Sequence, residues 1–82
     1  MNPVRVRITY CAECGYEDEA VGLARELMVE FREKLSAIEL VPFLDGTFDV
    51  RVGAELVHSM TRDGGFANPE LVKAAVTARV AG

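Results

Sequence analysis

The chain has few of the residues that build metal and nucleic-acid sites. Its 82 residues include one histidine, two cysteines and no tryptophan. A structural zinc site takes about four Cys, His or carboxylate ligands, so a single copy falls short and only a dimer could assemble one. Cations are outnumbered, with Lys+Arg at 9 against Asp+Glu at 13 and a formal net charge of −4. No segment clusters Lys and Arg as phosphate contacts require, which argues against a nucleic-acid partner, and the same deficit argues against an anionic membrane surface. No apolar run approaches the roughly 18 residues that cross a bilayer. The N-terminus enters a strand pattern directly, without the basic and apolar regions of a signal peptide. The expected location is therefore the cytoplasm. Repeats, low-complexity tracts and linkers are also missing, and residues 1–82 read as one small domain.

What is there centres on Cys11 and Cys14. Val4, Val6, Ile8 and Tyr10 alternate with Arg5, Arg7 and Thr9, the period-two pattern of a half-buried strand. The cysteines follow where this strand hands over to a helix, and Gly15 comes next. A C-x-x-C at such a junction reads as a dithiol redox motif. Helix N–H groups and the helix dipole favour thiolate there, and thiolate is the reactive form. The plainer reading is a pair of small buried hydrophobes, but these are the only two cysteines and they have this spacing. In a reducing compartment such a pair is more often catalytic or metal-binding than a structural staple.

Ala20, Leu23, Ala24, Leu27, Met28, Phe31 and Leu35 share one helical stripe, which predicts a helix over about Glu17 to Leu35 with all seven in the core. Ile38 to Phe43 reads as a second strand. Asp45-Gly46 interrupts, Phe48, Val50 and Val52 alternate in a third strand, and Gly53-Ala54 turns into a fourth over Glu55 to Ser59. Met60 to Ala67 reads as a loop. Asn68-Pro69-Glu70 is a helix-start signal, and the closing helix is expected to bury Leu71 or Val72, Ala75, Val76 and Val80.

The order β-α-β-β-β-α predicts an α/β two-layer fold. A strand-helix-strand unit favours a parallel pair, and Pro42 suits an edge strand. The expected sheet is four-stranded and mixed, ordered 2-1-3-4, with both helices on one face. Arg5, Arg7, Arg51, Asp49 and Glu39 would cover the other face as solvated charge. Asp45-Gly46, His58 and the Arg62-to-Phe66 loop would then share the sheet edge that carries the cysteines.

Four segments resemble the selenoprotein W/T/H redox family, specifically its bacterial members with cysteine in both positions. These are Cys11-Ala12-Glu13-Cys14-Gly15-Tyr16, Gly46-Thr47-Phe48-Asp49-Val50, Leu56-Val57-His58-Ser59 and Arg62-Asp63-Gly64-Gly65-Phe66. The resemblance implies a thioredoxin-like fold and thiol redox chemistry. It also implies that Cys14, at the family's selenocysteine position, is the attacking thiol and Cys11 the resolving one. Thioredoxin analogy would favour Cys11 as the attacker. The chain departs from thioredoxins near Gly46-Thr47, where they carry a cis-proline. Glu13, between the cysteines, opposes thiolate formation, and the helix start and Arg62 are expected to act the other way.

Tyr10, Gly15, His58, Arg62, Gly64, Gly65 and Phe66 complete the candidate site edge. His58 either covers a strand end or accepts a proton near the dithiol, and Arg62 is either a solvated charge or a thiolate partner. Gly64-Gly65 supplies positive-φ backbone, and Phe66 is either a core plug or an exposed aromatic for a partner. The leading function is thiol–disulfide exchange or antioxidant chemistry without a bound cofactor. Glutathione is a co-substrate candidate, thiol or disulfide proteins are the expected substrates, and a thioredoxin-type protein or glutathione is the expected reductant. One rival is a redox-gated interaction module without turnover. A remoter rival is a Cu(I) chaperone, against which stand Thr9, where such proteins have methionine, and the terminal helix.

Overall fold

The computed structural model describes residues 3–81. Strand β1 (Val4–Cys11) leads through a turn to helix α1 (Glu17–Phe31) and a 3₁₀ turn (Arg32–Lys34), and then to β2 (Leu35–Phe43). Strands β3 (Phe48–Val52) and β4 (Glu55–Ser59) precede a short helix α2 (Met60–Asp63) and the closing helix α3 (Pro69–Ala81). The sheet is ordered β2-β1-β3-β4. β1 runs parallel to β2 and antiparallel to β3, and β3 pairs antiparallel with β4. This is the expected 2-1-3-4 mixed sheet, with Pro42 on an edge strand.

Alternation along β1 decides the layers. Val4, Val6 and Ile8 are buried beside Phe48, Val50 and Val52, and α1 covers them with Ala20, Leu23, Ala24, Leu27 and Phe31. Helix α3 adds Val72 and Val76 to the same cluster, so both long helices lie on one face. On the other face Arg7 and Arg5 meet Glu39 across β1 and β2 at 3.3 and 3.8 Å. Exposed pairs of this kind are worth roughly 0–1 kcal/mol; they solvate the face more than they hold it.

Four local expectations need correction. Helix α1 ends at Phe31, because Arg32 takes φ 50° and the chain tightens into the 3₁₀ turn. Leu35 is then free to open β2 against Val4 while still packing on the core. Met28 is 52% exposed; it lies roughly 100° around the helix from Leu27, at the margin of the stripe, where a two-layer fold offers no cover. Residues 60–63 form α2 where a loop was expected. In α3 it is Val72 that is buried, while Leu71 is exposed and Ala75 and Val80 are half-buried. The Asn68 cap is present, its Oδ1 accepting from the Glu70 N–H at 3.0 Å.

Candidate redox site

Because β1 lies between β2 and β3, the chain must cross the end of β1 to pass from one to the other. Asp45 and Gly46 make that crossing, both with positive φ (64° and 70°). The crossing clasps the cysteine segment. The Cys11 N–H donates to the Thr47 carbonyl at 2.7 Å, and the Ala12 N–H donates to the Phe43 carbonyl at 3.0 Å. Cys11 is thereby held one residue below the rim and is only 1% exposed. Residues 12–16 then turn outward, closed by Gly15 N–H to Ala12 carbonyl at 3.2 Å and Tyr16 N–H to Cys11 carbonyl at 3.3 Å. Cys14 sits exposed on this turn. The two cysteines are joined as a disulfide, with their Cα atoms 5.3 Å apart, within the range such a bridge needs.

The electrostatics around Cys14 differ from the expected thiolate cradle. Helix α1 begins at Glu17, beyond Cys14, and its first turn carries Glu17, Asp18 and Glu19. Dipole effects fall off within a turn, and these carboxylates oppose what remains. Arg62, the anticipated cationic partner, is committed elsewhere. Its Nε and Nη2 donate to the two carboxylate oxygens of Asp63, both at 2.8 Å, and Nη2 also reaches the Val57 carbonyl at 3.2 Å.

Residues 58–66 form a braced arm over the end of β4. Ser59 caps α2, its Oγ accepting from the Arg62 N–H, while Asp63 accepts from the Ser59 N–H at 3.0 Å; this is a reciprocal capping arrangement. The hydrogen bonds from Arg62 and from the Ser59 amide lower the Asp63 carboxyl to about 2. His58 is buried beneath the arm. Its Nε2 lies 2.9 Å from the Gly65 carbonyl and its Nδ1 lies 3.7 Å from Asp63. Gly64 and Gly65 both take positive φ (78° and 68°), which L side chains adopt only with strain. The arm ends in Phe66, set edge-on against Tyr16 at 4.9 Å and Phe48 at 5.2 Å between centroids. Phe66 is 41% exposed, so it is both a plug and a surface aromatic. Tyr10 pairs with Phe48 across the strands and packs against the core.

Arm, crossing turn and cysteine turn thus occupy one end of the sheet. Thr47, Phe43, Leu44 and Tyr16 were not among the candidate site residues, although Thr47 and Tyr16 lie in the segments that carry the resemblance. Thr47 and Phe43 act through backbone carbonyls whose partners depend on strand register. Phe43-Leu44, two large apolar residues directly before a turn, was the readable signal for an exposed rim. Among the described residues every peptide bond is trans. At the thioredoxin cis-proline position, the Thr47 carbonyl accepts from Cys11 and the Thr47 N–H donates to Leu44 at 3.3 Å.

A 2-1-3-4 sheet with Cys-x-x-Cys at the end of its first strand defines a thioredoxin-like dithiol protein. The chain belongs to the Rdx family, whose sequence profile matches residues 5–78. It is 35% identical to selenoprotein W of Sus scrofa over 68 residues, covering 82% of this chain and 78% of that protein. A crystal structure of a Bordetella parapertussis protein superposes with a TM-score of 0.88 at 29% identity, over 95% of this chain and 99% of that one. The selenoprotein W-related protein of Vibrio cholerae shares the fold, with a TM-score of 0.91 at 24% identity over 96% and 99% of the two chains.

Proposed function

We propose that this protein carries out thiol–disulfide exchange, with Cys14 as the attacking sulfur and Cys11 as the resolving one. The observation that carries this reading is the unequal exposure of two bonded sulfurs, Cys14 at the surface and Cys11 at 1%. Exchange requires a thiolate to reach a sulfur along an open path, and that path leads to Cys14. In the reducing direction the Cys14 thiolate attacks a partner disulfide and releases one partner thiolate. The Cys11 thiolate then attacks the Cys14 sulfur of the mixed disulfide and releases the second. Two electrons pass to the partner, and Cys11–Cys14 is left oxidised. No bound cofactor takes part. Re-reduction falls to glutathione or a thioredoxin-type protein, and the reducing cytoplasm is the compartment where such a pair cycles.

Mass spectrometry after mild peroxide and glutathione tests this reading. It should show modification of Cys14, followed by closure of the bridge with Cys11. A chain with no reversible couple and no reactivity toward either reagent would remove it.

A second reading, a redox-gated interaction module without turnover, is favoured by one contact. Tyr16, on the cysteine turn, touches Phe66, so the state of the bridge bears directly on an exposed aromatic. Pull-downs with reduced and oxidised protein separate the two, since identical partner sets count against gating.

A further inference from the structure

Charge is segregated along the strand axis. The three segments at the cysteine end (11–19, 43–48 and 59–70) hold seven carboxylates: Glu13, Glu17, Asp18, Glu19, Asp45, Asp63 and Glu70. Within the segments one guanidinium stands against them, Arg62, locked to Asp63, and Lys73 just beyond the last segment pairs with Glu70 at 3.4 Å. The side chains at that end sum to −6, while the rest of the chain, whose total is −4, is left at +2. All seven acids are exposed. The same end exposes Phe43, Leu44 and Phe66 at 52, 48 and 41%. A hollow of about 180 Å³ between α1 and the start of α3 is lined by Asp18, Glu19, Leu23, Phe48, Pro69 and Glu26, the last paired with Lys73 at 3.2 Å. That lining combines apolar and anionic side chains, a mixture that suits the aliphatic stem and charged head of Lys or Arg.

We propose that the exchange partner is a basic, cysteine-bearing protein segment whose cationic side chain seats against Asp18 and Glu19 while its cysteine meets Cys14. The inference rests on the exchange reading above and narrows it. The apolar rim receives the flanking residues of the segment. Main-chain docking at Thr47 is closed, because both of its backbone groups are already used. Glutathione disulfide is anionic and carries no flanking segment, so it should react more slowly than a basic segment while still reaching Cys14. Electron balance is that of the exchange itself: the partner disulfide is reduced to two thiols as Cys11–Cys14 closes.

The test is the rate at which the reduced full-length protein opens two disulfide-cyclised peptides, identical except for Arg or Glu beside the cysteines, with oxidised glutathione alongside. At about 0.02 M salt the basic peptide should react at least ~10-fold faster than the acidic one. That ratio should collapse toward unity at about 0.5 M, where the screening length falls to roughly 4 Å. Asp18→Asn/Glu19→Gln should lower the ratio at low salt. Alkylation by neutral iodoacetamide, run in parallel, corrects for any change in thiolate fraction. Equal rates for the two peptides at low salt, or glutathione disulfide reacting as fast as the basic peptide, overturn charge selection and leave exchange standing. No reaction with any of the three disulfides overturns both.

Discussion

The ring of His58 donates from Nε2 to the carbonyl of Gly65 at 2.9 Å. A carbonyl only accepts, so the proton sits on Nε2 and the other ring nitrogen faces Asp63. One side chain at the end of β4 thereby fixes the double-glycine bend that aims Phe66 at the cysteine turn. His58 acts as a brace here, with its donor nitrogen already used.

Replacing that brace should loosen the arm. His58→Ala removes the ring partner of the Gly65 carbonyl and leaves a void beneath the bend, at a cost of about 2–3 kcal/mol. Urea unfolding measures it. A loss under about 0.5 kcal/mol would mean that the bend holds itself.

Phe66 links the arm to both Tyr16 and Phe48. Each edge-on aromatic contact is worth about 0.5–1.5 kcal/mol beyond burial, so Phe66→Ala should cost about 1–3 kcal/mol. Hydrogen exchange at the Tyr16 amide, which closes the turn onto the Cys11 carbonyl, should accelerate. Unchanged exchange there would show that the cysteine turn is stable without Phe66.

Acid should weaken the α2 cap in a defined window. The folded Asp63 carboxyl is lowered to about 2, below its ordinary 3.8. A carboxyl lowered on folding stabilises fully above its unfolded pKa and loses that contribution as pH falls through the folded value. The gap in melting temperature between the wild type and Asp63→Asn should be constant at neutral pH. It should then shrink from roughly pH 5 down to pH 2. A gap that stays constant down to pH 2 would contradict this assignment.

Much of the fold is legible because β1 is central and buried on one face only, so its alternation states the layer directly. Pro42 disfavoured a central position for its strand, and that fixed the sheet order. Helix α2 was illegible: four residues cannot display a helical period, and its cap is a reciprocal pair between Ser59 and the 62–63 backbone and side chain. The end of α1 was ambiguous because Leu35 lies four residues after Phe31, a spacing that fits the helix as well as the strand. Within the site, C-x-x-C spacing and the glycine bend could be read. The commitment of Arg62 to its neighbour Asp63 could not, since adjacency in sequence does not say which partner a long side chain takes. Nor could the burial of Cys11, which goes with hydrogen bonds from the Cys11 and Ala12 amides to the Thr47 and Phe43 carbonyls that exist only once three strands are in register.

The most direct measurement is mixed-disulfide trapping with single-cysteine variants. Cys11→Ser keeps the exposed Cys14 and should form a stable adduct with a disulfide probe. Cys14→Ser keeps the 1%-exposed Cys11 and should react at least ~10-fold more slowly, since exchange follows access. Faster capture by Cys14→Ser would reverse the roles of the two sulfurs, and no capture by either variant would contradict exchange at this site.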